Sequence, residues 1–328
     1  MQPLFKLFFV FLFLISLQLY GIDNNSHKEE IDFIVAKDGS GDYTSIQEAI
    51  NAIKSFPYER ITIFIKKGTY HEKVKIYQWN PMLTIIGESK EETIIEYNDY
   101  FDAIGLGRNS TFHTATLQID ANDCIVKNLT ISNSAGPVGQ AISLAITSNR
   151  VIVENCNING NQDTVYVAGE GNKQYFKNCY IEGSTDFIFG QATAVFNNCI
   201  LHSKSDSYIT AASTPKGIGF GLVFINCRLT AATNVGKVYL GRPWRVYAKT
   251  VFINCNMGQH ILPKGWDDWD KPDTHQKTLY AEYNSTGLGK NITSRVPWSH
   301  QLTKEQYKVY TVKNILKTDQ DDKWYLKP

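Results

Sequence analysis

Residues 224–229 read FINCRL and residues 252–257 read FINCNM, two copies of one short pattern. The pattern is an apolar residue, any residue, Asn, Cys, any residue and a second apolar residue. Four earlier segments match it, with Leu129 in the cysteine place of the first: VKNLTI (126–131), VENCNI (153–158), FKNCYI (176–181) and FNNCIL (196–201). From Leu129 to Cys255, successive markers are 27, 23, 20, 28 and 28 residues apart.

A short segment that recurs every 20 to 30 residues, roughly, is typical of a solenoid. Each unit alternates polar and apolar residues and is rich in β-branched or aromatic side chains, which indicates strands. Helical periodicity is nearly absent apart from SIQEAINAIKS at 45–55. We therefore predict an all-β fold, a single-stranded right-handed parallel β-helix in which each coil buries the apolar side of the next.

The marker cysteines should point into this helix and pack as small apolar groups, while the marker asparagines form ladders at the coil corners. Adjacent coils lie about 4.7–4.9 Å apart, within the Cα separation that a disulfide tolerates. Free thiols and a disulfide are both compatible with this geometry, and Cys179 and Cys199 form the best candidate pair. No CxxC segment or local histidine indicates zinc.

The N-terminal segment predicts export. Lys6 precedes an apolar run at 7–17 that is too short to span a bilayer comfortably, as in a secretory signal peptide. We expect a signal peptide at 1–21 and one secreted β-helix domain at 22–328, extracellular or, in a Gram-negative host, periplasmic. An uncleaved anchor is the alternative. Residues from about 265 to 328 are expected to form a tail packed on the outside of the helix.

The bulk composition bears on partners. The 328 residues carry a net charge of +1 without a basic or acidic block, which disfavours nucleic acid and membrane surfaces as partners. Aromatic residues make up 12% of the chain, which suits a sugar-facing groove but also any β-rich protein. A monomer is the expected state for such a solenoid.

The marker spacing also places polar residues in phase. Asp163 and Asp186 each lie seven residues after a marker, and Gln140 lies 23 residues before Asp163. Equal phase in a solenoid predicts one face on successive coils, about one strand spacing apart. Arg242 has the same distance to its following marker as Asp186 and should lie two coils further on.

Two carboxylates this close cannot both ionise freely, so one pKa should rise while the other carboxylate, near Arg242, stays charged. Such a pair provides an acid and a nucleophile. Gln140 and Gln162 offer amide donors beside them for an oxyanion. The column of residues therefore predicts acyl transfer through an aspartate nucleophile. The structural alternative is a polar ladder with a salt bridge that only holds the coils together.

Five segments in this order resemble the motif set of pectin methylesterases: GTYHEKV (68–74), GQAISLAI (139–146), NQDTVYV (161–167), DFIFG (186–190) and LGRPW (240–244). The resemblance covers essentially all of residues 22–328, with conservative departures at Ile142, Ser143 and Val165. It implies a parallel β-helix that hydrolyses the C6 methyl esters of galacturonate units in pectin. The products would be methanol and de-esterified pectin, and no metal or organic cofactor is implied.

The resemblance also implies roles for individual residues. Asp186 would be the nucleophile and Asp163 the proton donor, then the base, while Gln162 and Gln140 would stabilise the transition state. Residues implied to bind substrate are Arg242, Trp244, Gln140 and Thr111. Tyr166 and Phe187 each follow a catalytic-phase residue, and we expect both rings to contact substrate as well. For Trp266 and Trp269, the groove and the packing of the tail are both open.

Four other functions remain as alternatives. A pectate lyase would need clustered carboxylates for calcium, and a glycosidase would need two carboxylates straddling a glycosidic bond. A non-catalytic carbohydrate-binding solenoid would not require both Asp163 and Asp186. An esterase for another acylated sugar would use the same residues on a different substrate.

Overall fold

The computed structural model describes residues 30–291, 293–319 and 323–326, and the predicted signal peptide at 1–21 lies outside them. The described strands form three parallel sheets of eleven, eight and seven strands, which we call sheets A, B and C. From β2 to β24 the chain visits A, B and C in turn, once per coil. This arrangement confirms the predicted parallel β-helix.

Sheet A contains β1 (Phe33–Val35), β2 (Ile61–Ile65), β5 (Leu83–Gly87), β8 (Ile125–Lys127), β11 (Val151–Glu154), β14 (Lys173–Lys177), β17 (Thr193–Asn197), β20 (Leu222–Ile225), β23 (Lys249–Ile253), β25 (Leu279–Tyr283) and β26 (His300–Gln301). Sheet B contains β3 (Gly68–His71), β6 (Thr93–Tyr97), β9 (Thr130–Asn133), β12 (Asn157–Asn159), β15 (Tyr180–Gly183), β18 (Ile200–Ser203), β21 (Arg228–Ala231) and β24 (Asn256–Met257). Sheet C contains β4 (Val74–Ile76), β7 (Leu117–Ile119), β10 (Leu144–Ile146), β13 (Val165–Val167), β16 (Ile188–Gly190), β19 (Tyr208–Ala212) and β22 (Tyr239–Pro243).

The described helices are short. They are α1 (Ile46–Ala52), α2 (Phe101–Ile104), α3 (Lys304–Tyr307) and α4 (Val312–Leu316), with 3-10 turns at Gly107–His113, Pro272–Thr274 and Trp324–Leu326. Helix α1 confirms the helix predicted within 45–55, and Ser45 caps it by accepting a hydrogen bond from the Glu48 amide. The Glu72 carboxylate accepts two more amide hydrogen bonds of its first turn, from Ile46 and Gln47. Glu72 of the GTYHEKV segment therefore has a structural task, because helix N-termini leave amides unpaired.

The marker asparagines form the corners between sheets A and B. All six have left-handed backbones with φ between 51° and 60°, a conformation that Asn tolerates better than most residues: Asn128, Asn155, Asn178, Asn198, Asn226 and Asn254. Neighbouring side chains also pair, as Asn155 Nδ2 donates to Asn128 Oδ1 at 3.0 Å. Asn198 Nδ2 does the same to Asn178 Oδ1 at 2.7 Å. The predicted asparagine ladder is therefore present.

On the inner side of sheet A, successive coils stack identical side chains on one another. Phe176, Phe196, Phe224 and Phe252 are fully buried and stack in series, with ring centroids 4.5, 4.7 and 4.4 Å apart. These four rings come from the first position of successive marker segments. The sequence repeat therefore becomes a continuous column of contacts along the axis.

The candidate disulfide between Cys179 and Cys199 is not present, because all six cysteines of the chain are buried and free. The Cys179 thiol donates to the Val153 carbonyl at 3.4 Å, and the Cys199 thiol donates to the Phe176 carbonyl at 3.7 Å. Each thiol also lies within hydrogen-bond distance of the carbonyl two residues earlier in its own coil, Lys177 for Cys179 and Asn197 for Cys199. Coil spacing permits a bridge, but the thiols are held in a stacked array instead.

The C-terminal segment covers the outer face of sheet A. Tyr310, Ile315, Leu316 and Trp324 join a buried apolar cluster with outward residues of that sheet. Trp266, by contrast, is 1% exposed and belongs to the main core, and β25 extends sheet A. The solenoid therefore continues past residue 265, the predicted start of the tail. None of the helices in the described part of the chain reaches the length and apolar character that a bilayer crossing requires.

The phenylalanine column gives a prediction for stability. Replacing Phe224 by Ala removes a fully buried ring that stacks on two others, so the free energy of unfolding should fall by about 3–5 kcal/mol. Denaturant unfolding followed by circular dichroism measures this change. Tyr58→Ala is the matched control, because Tyr58 is 97% exposed. A Phe224→Ala loss below about 1 kcal/mol, the size of an ordinary substitution, would contradict the column's role.

Candidate active site

Two aspartates stand at the entrances of neighbouring strands in sheet C. Asp163 precedes β13 and Asp186 precedes β16, with φ values of 65° and 47°. The Asp163 amide donates to the Thr185 carbonyl at 3.0 Å, and the Asp186 amide donates to the Tyr208 carbonyl at 2.8 Å. Each left-handed turn is thus fixed by the next coil. Such backbone conformations are uncommon outside glycine and cluster at functional sites.

Arg242 holds Asp186 with two hydrogen bonds. Its Nε lies 3.0 Å from Asp186 Oδ1, and its Nη2 lies 2.7 Å from Oδ2. The guanidinium itself lies between two aromatic rings, with its central carbon 3.9 Å from the Tyr208 centroid and 3.7 Å from the Trp269 centroid. The flat guanidinium suits both contacts, since it forms paired hydrogen bonds in its plane and stacks on rings above and below.

The two carboxyl groups have different electrostatic surroundings. Both are buried, with 8% of Asp163 and 5% of Asp186 exposed. Burial, and then the nearby Asp186 charge, raise the pKa of Asp163 well above its ordinary value. Burial also raises the pKa of Asp186, but the hydrogen bonds and charge of Arg242 oppose that rise. The pair is therefore biased toward a protonated Asp163 beside an ionised Asp186.

The two aspartates open into a pocket of about 400 Å³. Gln140 and Gln162 line it and pair with each other through a parallel backbone bridge. Within the described residues, neither side-chain amide takes part in a hydrogen bond, so both remain available to a bound molecule. Thr111 and Trp244 also line the pocket.

All four residues lie on the predicted coils, but only the two aspartates have the predicted register. The pairing of β13 with β16 sets Asp163 opposite Asp186, as predicted. Gln140 pairs with Gln162, one residue before the predicted partner Asp163. Arg242 pairs with Ala211 of β19, three residues further along the strand than Asp186, and reaches back with its long side chain. Turn lengths differ between coils, so distance to a marker is only an approximate register.

The prediction that Phe187 contacts substrate is wrong, because its ring is fully buried in the main core. The left-handed turn at Asp186 points the next side chain inward, where it packs beside Gly183. Phe189 lines the pocket instead. It pairs with Tyr166 on the neighbouring strand, and the two rings stack at 4.8 Å. The 23-residue step that relates Asp163 to Asp186 also relates Tyr166 to Phe189, so the sequence contained the signal.

The pocket also has lining residues that the marker repeat does not predict. Trp269 is on the pocket wall, whereas Trp266 is in the core, which separates two tryptophans left open above. Arg108, Phe112 and Arg245 complete the wall. They come from a 3-10 turn and from the segment after β22, for which the marker repeat gives no register. Among the described residues, no group of three or more His, Cys, Asp or Glu side chains is arranged to hold a metal ion.

The raised pKa of Asp163 predicts how stability changes with pH. The folded state holds this proton more tightly than the unfolded chain. The contribution of Asp163 to the free energy of unfolding is therefore full below the ordinary pKa of 3.8 and is lost as pH rises through the raised pKa. Asn carries no such dependence. We therefore expect the Tm of Asp163→Asn minus that of the wild type to increase between about pH 4 and about pH 8.

Asp206→Asn is the control for this experiment. Backbone hydrogen bonds from Gly236 and Lys237 lower the pKa of Asp206, so its contribution is lost as pH falls. The Tm deficit of Asp206→Asn should therefore shrink toward acid pH. A difference between Asp163→Asn and wild type that stays constant across the pH range would contradict the raised pKa.

Comparisons with known proteins agree with this geometry. A family model described as Pectinesterase matches residues 32–319. The chain is 34% identical to Pectinesterase 31 of Arabidopsis thaliana over 298 residues, which cover 88% of this chain and 93% of that protein. It is also 34% identical to Pectinesterase 4 of the same plant, of whose length it covers 47%.

Solved structures show the same likeness. The pectin methylesterase from carrot aligns with a TM-score of 0.82 and 30% identity, over 88% of this chain and 93% of that one. Pectin methylesterase PemA from Erwinia chrysanthemi aligns with a TM-score of 0.78 and 28% identity, over 88% and 97%. The chain therefore belongs to the pectinesterase family, and it is an esterase.

Proposed function

We propose that this protein hydrolyses the C6 methyl esters of galacturonate units in pectin through a covalent intermediate on Asp186. The observation that carries the proposal is the pair of buried carboxyl groups of Asp163 and Asp186. Arg242 donates hydrogen bonds to Asp186 alone of the two. A carboxylate nucleophile and a protonated acid are thereby held on adjacent strands, facing one pocket.

In the first half-reaction, a carboxylate oxygen of Asp186 bonds to the ester carbonyl carbon, and the carbonyl oxygen becomes an anion. The free amides of Gln140 and Gln162 are suited to donate hydrogen bonds to that oxygen. The bond from the carbonyl carbon to the methoxy oxygen then breaks. Asp163 donates its proton to the departing oxygen, which leaves as methanol.

In the second half-reaction, a water molecule adds to the acyl carbon while the Asp163 carboxylate takes one of its protons. The bond to Asp186 breaks, which restores the Asp186 carboxylate and a protonated Asp163. The galacturonic acid unit leaves with the remaining oxygen and proton of the water. One pair of carboxyl groups thus serves both half-reactions, because the proton that Asp163 gives up in the first is taken back from water in the second.

The walls of the pocket suit a sugar polymer. The apolar C–H faces of a sugar ring can stack on Phe189, Trp244 and Trp269, which line the pocket or its edge. Two solved relatives, each 28% identical to this chain with TM-scores of 0.76 and 0.77, are pectin methylesterases in complex with hexasaccharides. We also propose that residues 1–21 direct export, which would bring the enzyme to an extracellular polymer.

The experiment is to supply highly methylated pectin to purified protein and to measure methanol, new reducing ends and unsaturated products. We expect methanol alone. Asp186→Ala should lower kcat at least about a hundredfold, because truncating a nucleophile removes a step that no neighbour replaces. Asp163→Ala should lower it comparably, since this residue acts in both half-reactions.

Asp206→Ala is the control for the two active-site variants, because Asp206 is an exposed aspartate on a turn of the same solenoid. Its rate should equal that of the wild type. Activity of folded Asp186→Ala above about a hundredth of the wild-type rate would refute the nucleophile assignment. New reducing ends or unsaturated products would indicate a glycosidase or a lyase instead.

A further inference from the structure

A second cavity lies on the outer face of sheet C, several strands along the sheet from the catalytic pocket. We call it the distal pocket, and its volume is about 640 Å³. Its lining includes Lys75, Tyr77, Trp79, Gln118, Asp120 and Thr147. These residues lie in or directly after β4, β7 and β10, at the carboxyl ends of the three strands.

One wall of the distal pocket is aromatic. Tyr77 and Trp79 stack with their centroids 4.8 Å apart and their planes 5° from parallel. Trp79 is nevertheless 40% exposed, so much of its ring meets solvent. Its carbonyl accepts a hydrogen bond from the Phe56 amide at 2.7 Å, which anchors the backbone below the ring. The pair forms an open aromatic platform and is not part of the core.

A polar network built around Asp120 also lines the pocket and meets the aromatic pair where Lys75 Nζ lies 5.7 Å from the Tyr77 ring centroid. The Asp120 carboxylate accepts hydrogen bonds from Gln118 Nε2 at 2.9 and 3.0 Å and from Thr147 Oγ1 at 2.6 Å. Lys75 Nζ lies 3.1 Å from the same carboxylate, and its side chain remains 42% exposed. The ion pair leaves the lining neutral overall. Such a wall offers fixed donors and acceptors to hydroxyl groups without a strong preference for charge.

The distal pocket shares a face with the catalytic pocket. Lys75, Gln118, Ala145, Tyr166 and Phe189 occupy equivalent positions on successive strands of sheet C. Three strand spacings, roughly 14 Å, separate Lys75 from Tyr166 along the axis. A polymer that enters the catalytic pocket can therefore reach the distal pocket within several sugar units.

We propose that the distal pocket is a second polysaccharide-binding site, which holds a segment of galacturonan chain that is not undergoing reaction. This inference rests on the proposed function for its ligand. The apolar face of a sugar ring would stack on Trp79, and its hydroxyls would bond to Lys75 and Gln118. Because the lining is neutral, binding there should depend little on salt or on the degree of methylation.

The test compares Trp79→Ala with wild type on two substrates, long methylated pectin and a methylated trimer that is too short to bridge the pockets. We expect KM for the polymer to rise roughly two- to tenfold, as for the loss of one aromatic contact, with kcat unchanged. Kinetics on the trimer should not change. Trp79→Phe should retain most of the affinity, and Leu288→Ala, an exposed apolar residue beyond β25, should match wild type.

An unchanged KM for the polymer in folded Trp79→Ala would overturn the inference and leave the proposed function intact. Calorimetric binding of the polymer to Asp186→Ala protein, with and without Trp79→Ala, distinguishes failure of the distal site from failure of the proposed function. Weaker binding in the double variant supports the distal site whether or not catalysis proceeds as proposed, and equal binding refutes it.

Discussion

The paired hydrogen bonds between Arg242 and Asp186 are the interaction on which the rest of the site depends. Burial favours the neutral form of both carboxyl groups, which stand at the entrances of adjacent strands. Arg242 donates two hydrogen bonds to Asp186, at 3.0 and 2.7 Å, and none to Asp163 within the described residues, so it stabilises the Asp186 charge more strongly. Tyr208 and Trp269 hold the guanidinium from both sides. Asp163 lacks these two hydrogen bonds, and burial and the Asp186 charge raise its pKa well above the ordinary value.

The solenoid supplies the precision that this pair needs. Residues in or just before four successive strands of sheet C, β13, β16, β19 and β22, meet at the site, and each strand pairs with the next in a parallel ladder. The left-handed turns at Asp163 and Asp186 aim both carboxyl groups outward at the strand entrances, while Phe187 goes inward. Regular stacking thus sets the spacing of the two groups, and local departures from regularity set their direction.

The marker repeat in the sequence predicts the fold and the pairing of Asp163 with Asp186, whereas Thr111 and Trp244 are predicted only by the resemblance to pectin methylesterases. The asparagine corners, the inward phenylalanines and the opposition of Asp163 to Asp186 all depend on register, which the repeat encodes. The predictions fail where the repeat does not specify how a residue is aligned or which way its side chain points. Phe187 follows a left-handed turn that reverses the expected alternation, and Gln140 is shifted by one residue. The Cys179 and Cys199 thiols have the spacing for a bridge, but their orientation, which spacing does not specify, leaves them free. The distal pocket depends on Trp79, which lies in a loop without any repeat.

The most direct measurement is the titration of Asp163 and Asp186 by NMR of 13C-carboxyl-labelled aspartate, in wild type and in Arg242→Lys. Substitution of each aspartate by Asn assigns its signal. If Arg242 sets the order of ionisation, Asp186 will ionise at lower pH than Asp163 in the wild type. The difference between the two pKa values will be smaller in the variant, because Lys cannot form the paired hydrogen bonds in one plane. Ionisation of Asp163 before Asp186, or the same order and gap in both proteins, would contradict the account.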